Sequence, residues 1–292
     1  MKPAAFAYHR PDSVEGALSL LAEHGYDAKL LAGGQSLVPA MNFRLAAPAV
    51  LIDLNRVPGL DAIAEMDGGV RIGAMVRQRA AERSELIAAR APLIAETLPF
   101  VAHAQIRNRG TMGGSIAHAD PAAEMPAVML ALGARFRLRG PSGARVVAAD
   151  DFFTGLFGTA LEPEEMLLEI EVPAAAPGTG IAFDELSRRH GDFALAGVAA
   201  SVQVDAEGRC TTARIALLSV GDGPVLAAGA ASALAGQLPS AEAIRAAAHA
   251  AAQADIDPPG DIHASPAYRR QLVEVLVGRV LPRAFERARS AR

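Results

Sequence analysis

Residues 107–124 read RNRGTMGGSIAHADPAAE. Here the glycine pair Gly113 and Gly114 lies between the hydroxyls of Thr111 and Ser115 and is followed by the carboxylate of Glu124. A second segment, LAGGQS at 31–36, has the same make-up, with Gly33 and Gly34 followed by Gln35 and Ser36. Glycine has no Cβ, so its backbone turns with φ > 0 and comes close to a ligand. Successive N–H groups in such a turn form a concave anion site, to which neighbouring hydroxyls and amides add donors. A single loop of this kind is also what a tight strand-to-helix turn looks like. Two of them point to jaws closing on a diphosphate. Neither is a GxGxxG fingerprint, so a Rossmann domain is not indicated.

Other chemistry is poorly served by these residues. Ser115, His118, Asp120 and Glu124 are the types of a hydrolase triad, but they crowd one short segment, whereas nucleophile, base and orienter converge from separate elements. No GxSxG elbow is present. His103 and His118 with Asp120 are metal-ligand types, yet histidines on loops beside a ligand more commonly serve as hydrogen-bonding groups. No metal site and no catalytic residue is assigned.

The chain has 292 residues, 51% hydrophobic and 21% charged, with a formal net charge of −4. That is ordinary for a globular protein with a full core, and long enough for two domains. No basic patch with interleaved aromatics suggests nucleic acid. The uncharged run at 223–241 is mostly alanine and glycine, broken by prolines, and too weakly apolar for a membrane helix. Lys2 is followed by no apolar core, which argues against a secretory leader, so a cytoplasmic location is the expectation. The single cysteine, Cys210, rules out an internal disulfide and any iron–sulfur cluster ligated within this chain.

The elements that must position the two glycine segments are legible in outline. Asp12 or Ser13 caps a helix carrying Val14, Ala17, Leu18 and Leu21 and ending at Gly25. Residues 28–31 read as a strand running into the first glycine loop, 50–54 as a second, and the stretch from Arg71 as a third. Helices are expected from Ser84 and over 93–101, and a buried one over 124–132. Residues 136–138 and 166–172 read as strands, and 173–180 as a linker rich in proline, alanine and glycine. Beyond it, 194–204 and 214–220 read as antiparallel strands about a turn at 205–208. Two helices follow, one over 240–254 and one with Ser265 as cap and Pro266 in its first position. The arginines of the last helix (Arg269, Arg270, Arg279, Arg283, Arg287 and Arg289) read as a solvated face. The division expected is 1–176 and 177–292.

Taken together, these segments resemble the FAD-binding subunit of the molybdenum hydroxylases, the xanthine dehydrogenase and carbon monoxide dehydrogenase family. The resemblance also covers FAYHRPDSVEGAL at 6–18, PEEMLLEIEVP at 163–173, SRRHGDFA at 187–194 and DIHASPAYRR at 261–270, in order and over nearly the whole chain. It implies an α+β fold: a two-lobed FAD-binding domain of the para-cresol methylhydroxylase type with the cofactor between its lobes, and a smaller α+β C-terminal domain. It also implies that Ala32, Gly33, Gly34, Gln35 and Ser36, led in by Lys29, Leu30 and Leu31, wrap the FAD pyrophosphate together with Thr111, Gly113, Gly114, Ser115 and Ile116. Relatives carry Asn where this chain has Ser115, and Asp where it has Glu124, whose carboxylate is placed to accept from a ribityl or ribose hydroxyl or a ring N–H. Val101 with Ala102, Leu167, and the aromatic Phe193 match positions beside the flavin ring, although Val101, Leu167 and Phe193 also suit plain core packing.

The same resemblance implies the chain's place in a larger machine. A small subunit with two [2Fe–2S] clusters and a large molybdopterin subunit would be its partners, the expected assembly being a dimer of heterotrimers. Electrons would pass through the clusters to FAD and out to NAD, oxygen or a quinone. With one cysteine, the chain lacks the extra cluster found in the corresponding subunit of hydroxybenzoyl-CoA reductases. Xanthine dehydrogenases carry Lys in the stretch aligned with residues 183–185, where this chain has Asp184 and Glu185, so the acceptor stays open. Two other readings are a standalone FAD oxidase or reductase of a small substrate, for which no base or covalent flavin link is evident, and a flavin-free scaffold, against which the intact glycine loops argue.

Overall fold

The computed structural model describes residues 2–291. The N-terminal lobe grows from the helix Val14–His24, whose N-cap is Ser13; its hydroxyl accepts from the Gly16 N–H at 3.1 Å. Ala17 and Leu21 turn inward from this helix onto a small parallel sheet in which Val50–Asp53 runs between Ala7–His9 and Ala28–Leu31. All four residues of the central strand are buried, as a parallel strand covered on both faces requires.

A second, antiparallel sheet runs in the order Ile63–Met66, Gly69–Gly73, Met166–Pro173, Arg135–Gly140, Gly143–Ala148. Strand alternation separates its two faces. Phe136 and Leu138 enter the core, while Arg135 and Arg137 reach across to Glu171 on the neighbouring strand at 3.2 and 3.1 Å. Short helices pack around this sheet and against the strands that follow it, including Pro92–Thr97, Met112–His118 and the almost wholly buried Glu124–Leu132.

The third sheet is antiparallel: Thr179–Ser187, Ala194–Val204, Cys210–Leu218 and Val225–Leu226. The helix Pro266–Ser290 lies across its first two strands, and the helices Ala241–Gln253 and Ala228–Leu234 stack beside it. Gly180 makes this approach possible, because any Cβ there would collide with the backbone of Ala284 and Ala288. On the opposite face sits the Glu124–Leu132 helix, so Val128 and Met129 share a core with Phe183, Ala199, Ala216 and Leu218.

Three expectations need correction. The segment over 93–101 is a helix only to Thr97 and then tightens into the 3₁₀ turn Leu98–Phe100, which Pro99 opens in its second position. The 173–180 stretch is no free linker throughout, since its end already belongs to strand Thr179–Ser187 and packs under the last helix. The strand expected at 214–220 begins earlier, at Cys210, and ends at Leu218.

A fourth correction concerns the arginines of the last helix, several of which are structural rather than solvated. Arg269 is 5% exposed and donates to the carbonyls of Leu195 and Ser219 at 2.5 and 2.9 Å and to Asp261 at 2.6 Å. Arg270 closes on the carbonyls of Ala252 and Ile256 at 2.9 and 2.7 Å. Arg283 and Arg287 both donate to Glu96, at 2.8 and 2.5 Å, and the same carboxylate accepts the Phe183 N–H at 3.1 Å. Helical arginines find backbone carbonyls only when the tertiary fold delivers them, which periodicity does not report.

Glu96 therefore ties the N-terminal helices to the third sheet and the last helix. Replacing it with Ala strips the Phe183 N–H and Arg283 of their acceptor and leaves Arg287 only the Ile181 carbonyl, and should destabilise the chain by about 1–3 kcal/mol, read as a lowered urea midpoint with an unchanged m-value.

Candidate functional site

The strand Ala28–Leu31 delivers the first glycine segment. Leu31 is in register with Asp53, and the helix Leu37–Asn42 begins just beyond the segment. Gly34 has φ +72, a conformation that costs residues with a Cβ about 1–2 kcal/mol. Gly33 meets a different constraint, since a Cβ on it would run into the carbonyl of Arg109 and lie 2.8 Å from the Cα of Gly110. The two glycine segments are thus in backbone contact. Around the first lies a cavity of about 340 Å³, lined by Gly33, Gly34, Gln35, Asp53, Asn55 and Arg109, among others. Among the described residues, the N–H groups of Gly33, Gly34, Gln35 and Ser36 donate to no acceptor, and the Gln35 amide folds back on the Gly33 carbonyl at 3.1 Å. A row of unused donors at a concave surface is what an anion requires.

The second segment is built differently from a loop. It is the start of the helix Met112–His118, with Thr111 as N-cap and its hydroxyl accepting from Gly114 N–H at 3.0 Å. The N–H groups of Met112 and Gly113 donate to the carbonyls of Val76 and Ala74, both at 2.9 Å, and Ser115 N–H to Thr111 at 3.2 Å. The backbone donors here are therefore already used. Gly113 is small because the chain crosses the 74–76 backbone, where a Cβ would lie 2.5 Å from that of Ala74. What this segment offers a ligand is its side-chain hydroxyls; a Cβ on Gly114 would lie 2.6 Å from the Thr111 Oγ1 and 3.7 Å from the Ala32 Cβ.

A polar network that sequence reading missed joins the segments. Arg77 donates to the Arg109 carbonyl and to the Asn55 side chain. Asn55 in turn donates to the Ala32 carbonyl at 3.0 Å and to Asp53 at 2.5 Å, and Tyr8 hydroxyl closes on Asp53. The hydrogen bonds from Tyr8 and Asn55 outweigh burial and hold the Asp53 carboxyl below its ordinary pKa, so it stays ionised. The short distance from strand residue Asp53 to Asn55 was visible, but only the strand register puts both beneath the glycine turn.

The remaining candidates are placed as follows. Lys29 is exposed on its strand, Leu30 and Leu31 are half-buried, and Ser36 is exposed. Val101 is buried and Ala102 takes φ +44; the guanidinium of Arg107 fastens this turn by donating to both their carbonyls, at 2.8 and 3.1 Å, and to Glu82 at 2.9 Å. Ile116 is fully buried and Ser115 half-buried. Glu124 is 6% exposed, and burial pushes its carboxyl to about 7. Leu167 is buried within the main core. Phe193 is 64% exposed; its neighbour Gly191 packs against the His103 ring, which brings the 188–193 turn beside the 101–103 turn.

Residues 4–175 match the family described as FAD binding domain in molybdopterin dehydrogenase, and 181–284 match the CO dehydrogenase flavoprotein C-terminal domain. The chain belongs to this family of FAD subunits. It is 45% identical to the 6-hydroxypseudooxynicotine dehydrogenase complex subunit alpha of Paenarthrobacter nicotinovorans, over 99% of this chain and 97% of that protein. It is 44% identical to the carbon monoxide dehydrogenase medium chain of Hydrogenophaga pseudoflava, over 98% and 99%. A solved structure of that organism's carbon monoxide dehydrogenase, lacking the Mo-pyranopterin moiety of the molybdenum cofactor, superposes with a TM-score of 0.95 over 98% of this chain and 99% of that one. Quinoline 2-oxidoreductase of Pseudomonas putida 86 does so with 0.93 at 39% identity, over 99% of each chain. The flavoprotein subunit is accordingly a component of an oxidoreductase complex of the molybdenum hydroxylase type, and FAD is its cofactor.

The first glycine segment fits such a cofactor: its donors are unspent, and its glycines leave no side chain in the cleft. The geometry also separates the glycines. Gly34→Leu should leave a folded flavoprotein subunit with little bound flavin, by placing a strained side chain at the cavity. Gly113→Leu should lower the melting temperature sharply, because its side chain meets the Ala74 backbone. Flavin content per folded chain, set beside thermal melting, checks both; equal melting temperatures for the two variants would contradict this division.

Proposed function

We propose that this chain is the electron-exit subunit of a heterotrimeric molybdenum hydroxylase, receiving electrons from [2Fe–2S] clusters on a small partner subunit and passing them to NAD, oxygen or a quinone. A large molybdopterin subunit would oxidise the substrate, and the assembly would be a dimer of heterotrimers in the cytoplasm. Among the described residues no helix is long and apolar enough to cross a membrane. The chain's own part is to bind, orient and electrically tune FAD, which supplies the two-electron chemistry.

The observation that carries this reading is the row of unused N–H donors at Gly33–Ser36, held in backbone contact with the second glycine segment. In the proposed site Lys29–Ser36 and Thr111–Ile116 surround the pyrophosphate, with the Thr111 and Ser115 hydroxyls donating where backbone groups are spent. Val101, Ala102, Glu124, Leu167 and Phe193 serve the rest of the cofactor. We further take 1–176 and 177–292 as its two domains. The names of relatives, with substrates from carbon monoxide to 6-hydroxypseudooxynicotine, support a shared electron relay rather than one substrate, whose pocket would lie on the large subunit.

Purified protein should be yellow, hold about one FAD per chain, and release all of it on acid precipitation; FMN alone would contradict a diphosphate site. Substrate should reduce the flavin only after co-expression with the two partner subunits. Fast reduction of the isolated chain by substrate would instead favour a standalone oxidase.

A further inference from the structure

Arg109 stands at the joint of the two glycine segments with its backbone fully engaged. Its N–H donates to the Ile106 carbonyl at 3.0 Å, and its own carbonyl accepts the Arg77 guanidinium. The next residue, Gly110, donates to Ile106 at 2.7 Å and accepts the Gln78 N–H at 2.9 Å. The Gly33 backbone closes on the same pair, since a Cβ there would meet the Arg109 carbonyl. Main-chain freedom at this residue is therefore small. Its side chain is in the opposite condition. Residue 109 is exposed, and among the described residues its guanidinium has no hydrogen-bond or ion-pair partner.

The cavity of about 340 Å³ around the first segment has two charged residues in its lining, Asp53 and Arg109. Asp53 is fully occupied. One of its oxygens accepts the Asn55 N–H at 2.9 Å and the Asn55 side-chain amide at 2.5 Å; the other accepts the Tyr8 hydroxyl and lies 3.6 Å from Arg10. The side-chain amides of Asn55 and Gln35 are also turned onto the carbonyls of Ala32 and Gly33. What remains for a ligand is the row of free N–H groups at 33–36 and one guanidinium. All of these are donors, so the occupant they suit is an anion with several acceptor oxygens. Burial first, and then the Arg109 charge, lowers the Arg77 pKa. The two guanidinium groups thus stand within electrostatic reach of each other, a repulsion that a bound anion relieves.

We propose that Arg109 is the cation that binds the cofactor's diphosphate, and that Arg77 is the positioning residue that places it. The proposal rests on the FAD site proposed above and adds a residue to it. Arg77 holds the Arg109 carbonyl with one guanidinium nitrogen and the Asn55 side chain with the other, so it fixes where the Arg109 side chain starts relative to the first segment. Arg109 then offers phosphate oxygens a planar donor that is charged at every physiological pH. The neutral N–H groups orient the anion, and the cation supplies the part of binding that salt screens.

The test uses the full chain stripped of flavin, with FAD, ADP and adenosine titrated by calorimetry. Wild type should prefer ADP to adenosine, and that preference should shrink as salt rises. At low salt Arg109→Ala should weaken FAD and ADP by about tenfold to a hundredfold, the range of a hydrogen bond to a charged group. Adenosine affinity and the melting temperature should stay at wild-type values, because this side chain touches only the ligand. Arg109→Lys should recover part of the loss, since it keeps the charge without the fork. Arg77→Ala should lower the melting temperature and also erode the preference for ADP. Combined with Arg109→Ala it should cost no further preference, as expected of a residue that acts through another.

Unchanged ADP affinity in Arg109→Ala, or equal losses for ADP and adenosine, would overturn the role of Arg109 at the diphosphate. A wild-type preference for ADP in Arg77→Ala would overturn its positioning role, whatever the melting temperature. A wild-type chain that binds neither FAD nor ADP would sink the proposed function and the Arg109 role together, whereas tight FAD binding that ignores Arg109→Ala would strike this inference alone.

Discussion

The contact between Gly33 and the Arg109–Gly110 backbone sets the geometry of the whole site. Two chain segments distant in sequence touch there without any intervening side chain, and everything around them serves to hold that approach. The parallel sheet fixes one segment through the Leu31–Asp53 register. The crossing of the 74–76 backbone fixes the other through the Met112 and Gly113 N–H groups. Arg77 and Asn55 then fasten the joint by spending side-chain donors on the carbonyls of Arg109 and Ala32. The consequence is a division of labour: one segment has given its N–H groups to the fold and the other keeps them for a ligand. Donors held by the surrounding fold need not be reorganised on binding, which is the source of much of the affinity in such sites.

Much of this was legible in the residues. Ser13, Ser84, Ser240 and Ser265 each cap a helix where the pattern places one, since capping is a local property of a hydroxyl and the N–H groups that follow it. The strand at 28–31 and the buried helix at 124–132 were likewise visible, because β-rich or unbroken apolar runs report burial directly. Both glycine segments stood out by composition. That Gly113 serves packing while Gly34 serves conformation was not visible, because both are simply glycine until the backbone crossing them is known.

What sequence could not show is set by long-range register. Tyr8, the Asp53–Asn55 turn and Arg77 come from three places along the chain and converge only once the first sheet is assembled. The arginines of the last helix look solvated at helical spacing, yet Arg269 reaches the carbonyls of Leu195, at the start of one strand, and Ser219, just past the end of the next. Glu185 reads as one more charge on a polar strand end, yet its Oε2 atom is buried without a hydrogen-bond partner.

The Glu124–Leu132 helix has a further consequence for how the chain is made. It precedes the third sheet in sequence but lends one face to it, with Val128 and Met129 packed among Phe183, Ala199 and Leu218. During synthesis that face emerges before the strands that cover it, and it stays uncovered until the third sheet forms. An uncovered apolar helix face is a site for chaperone capture or aggregation. A gene truncated after residue 175 would therefore yield not a smaller working half but a protein with an open wound in its core, whereas a nick in the 174–178 backbone of the finished protein would leave two fragments still gripping each other through this helix.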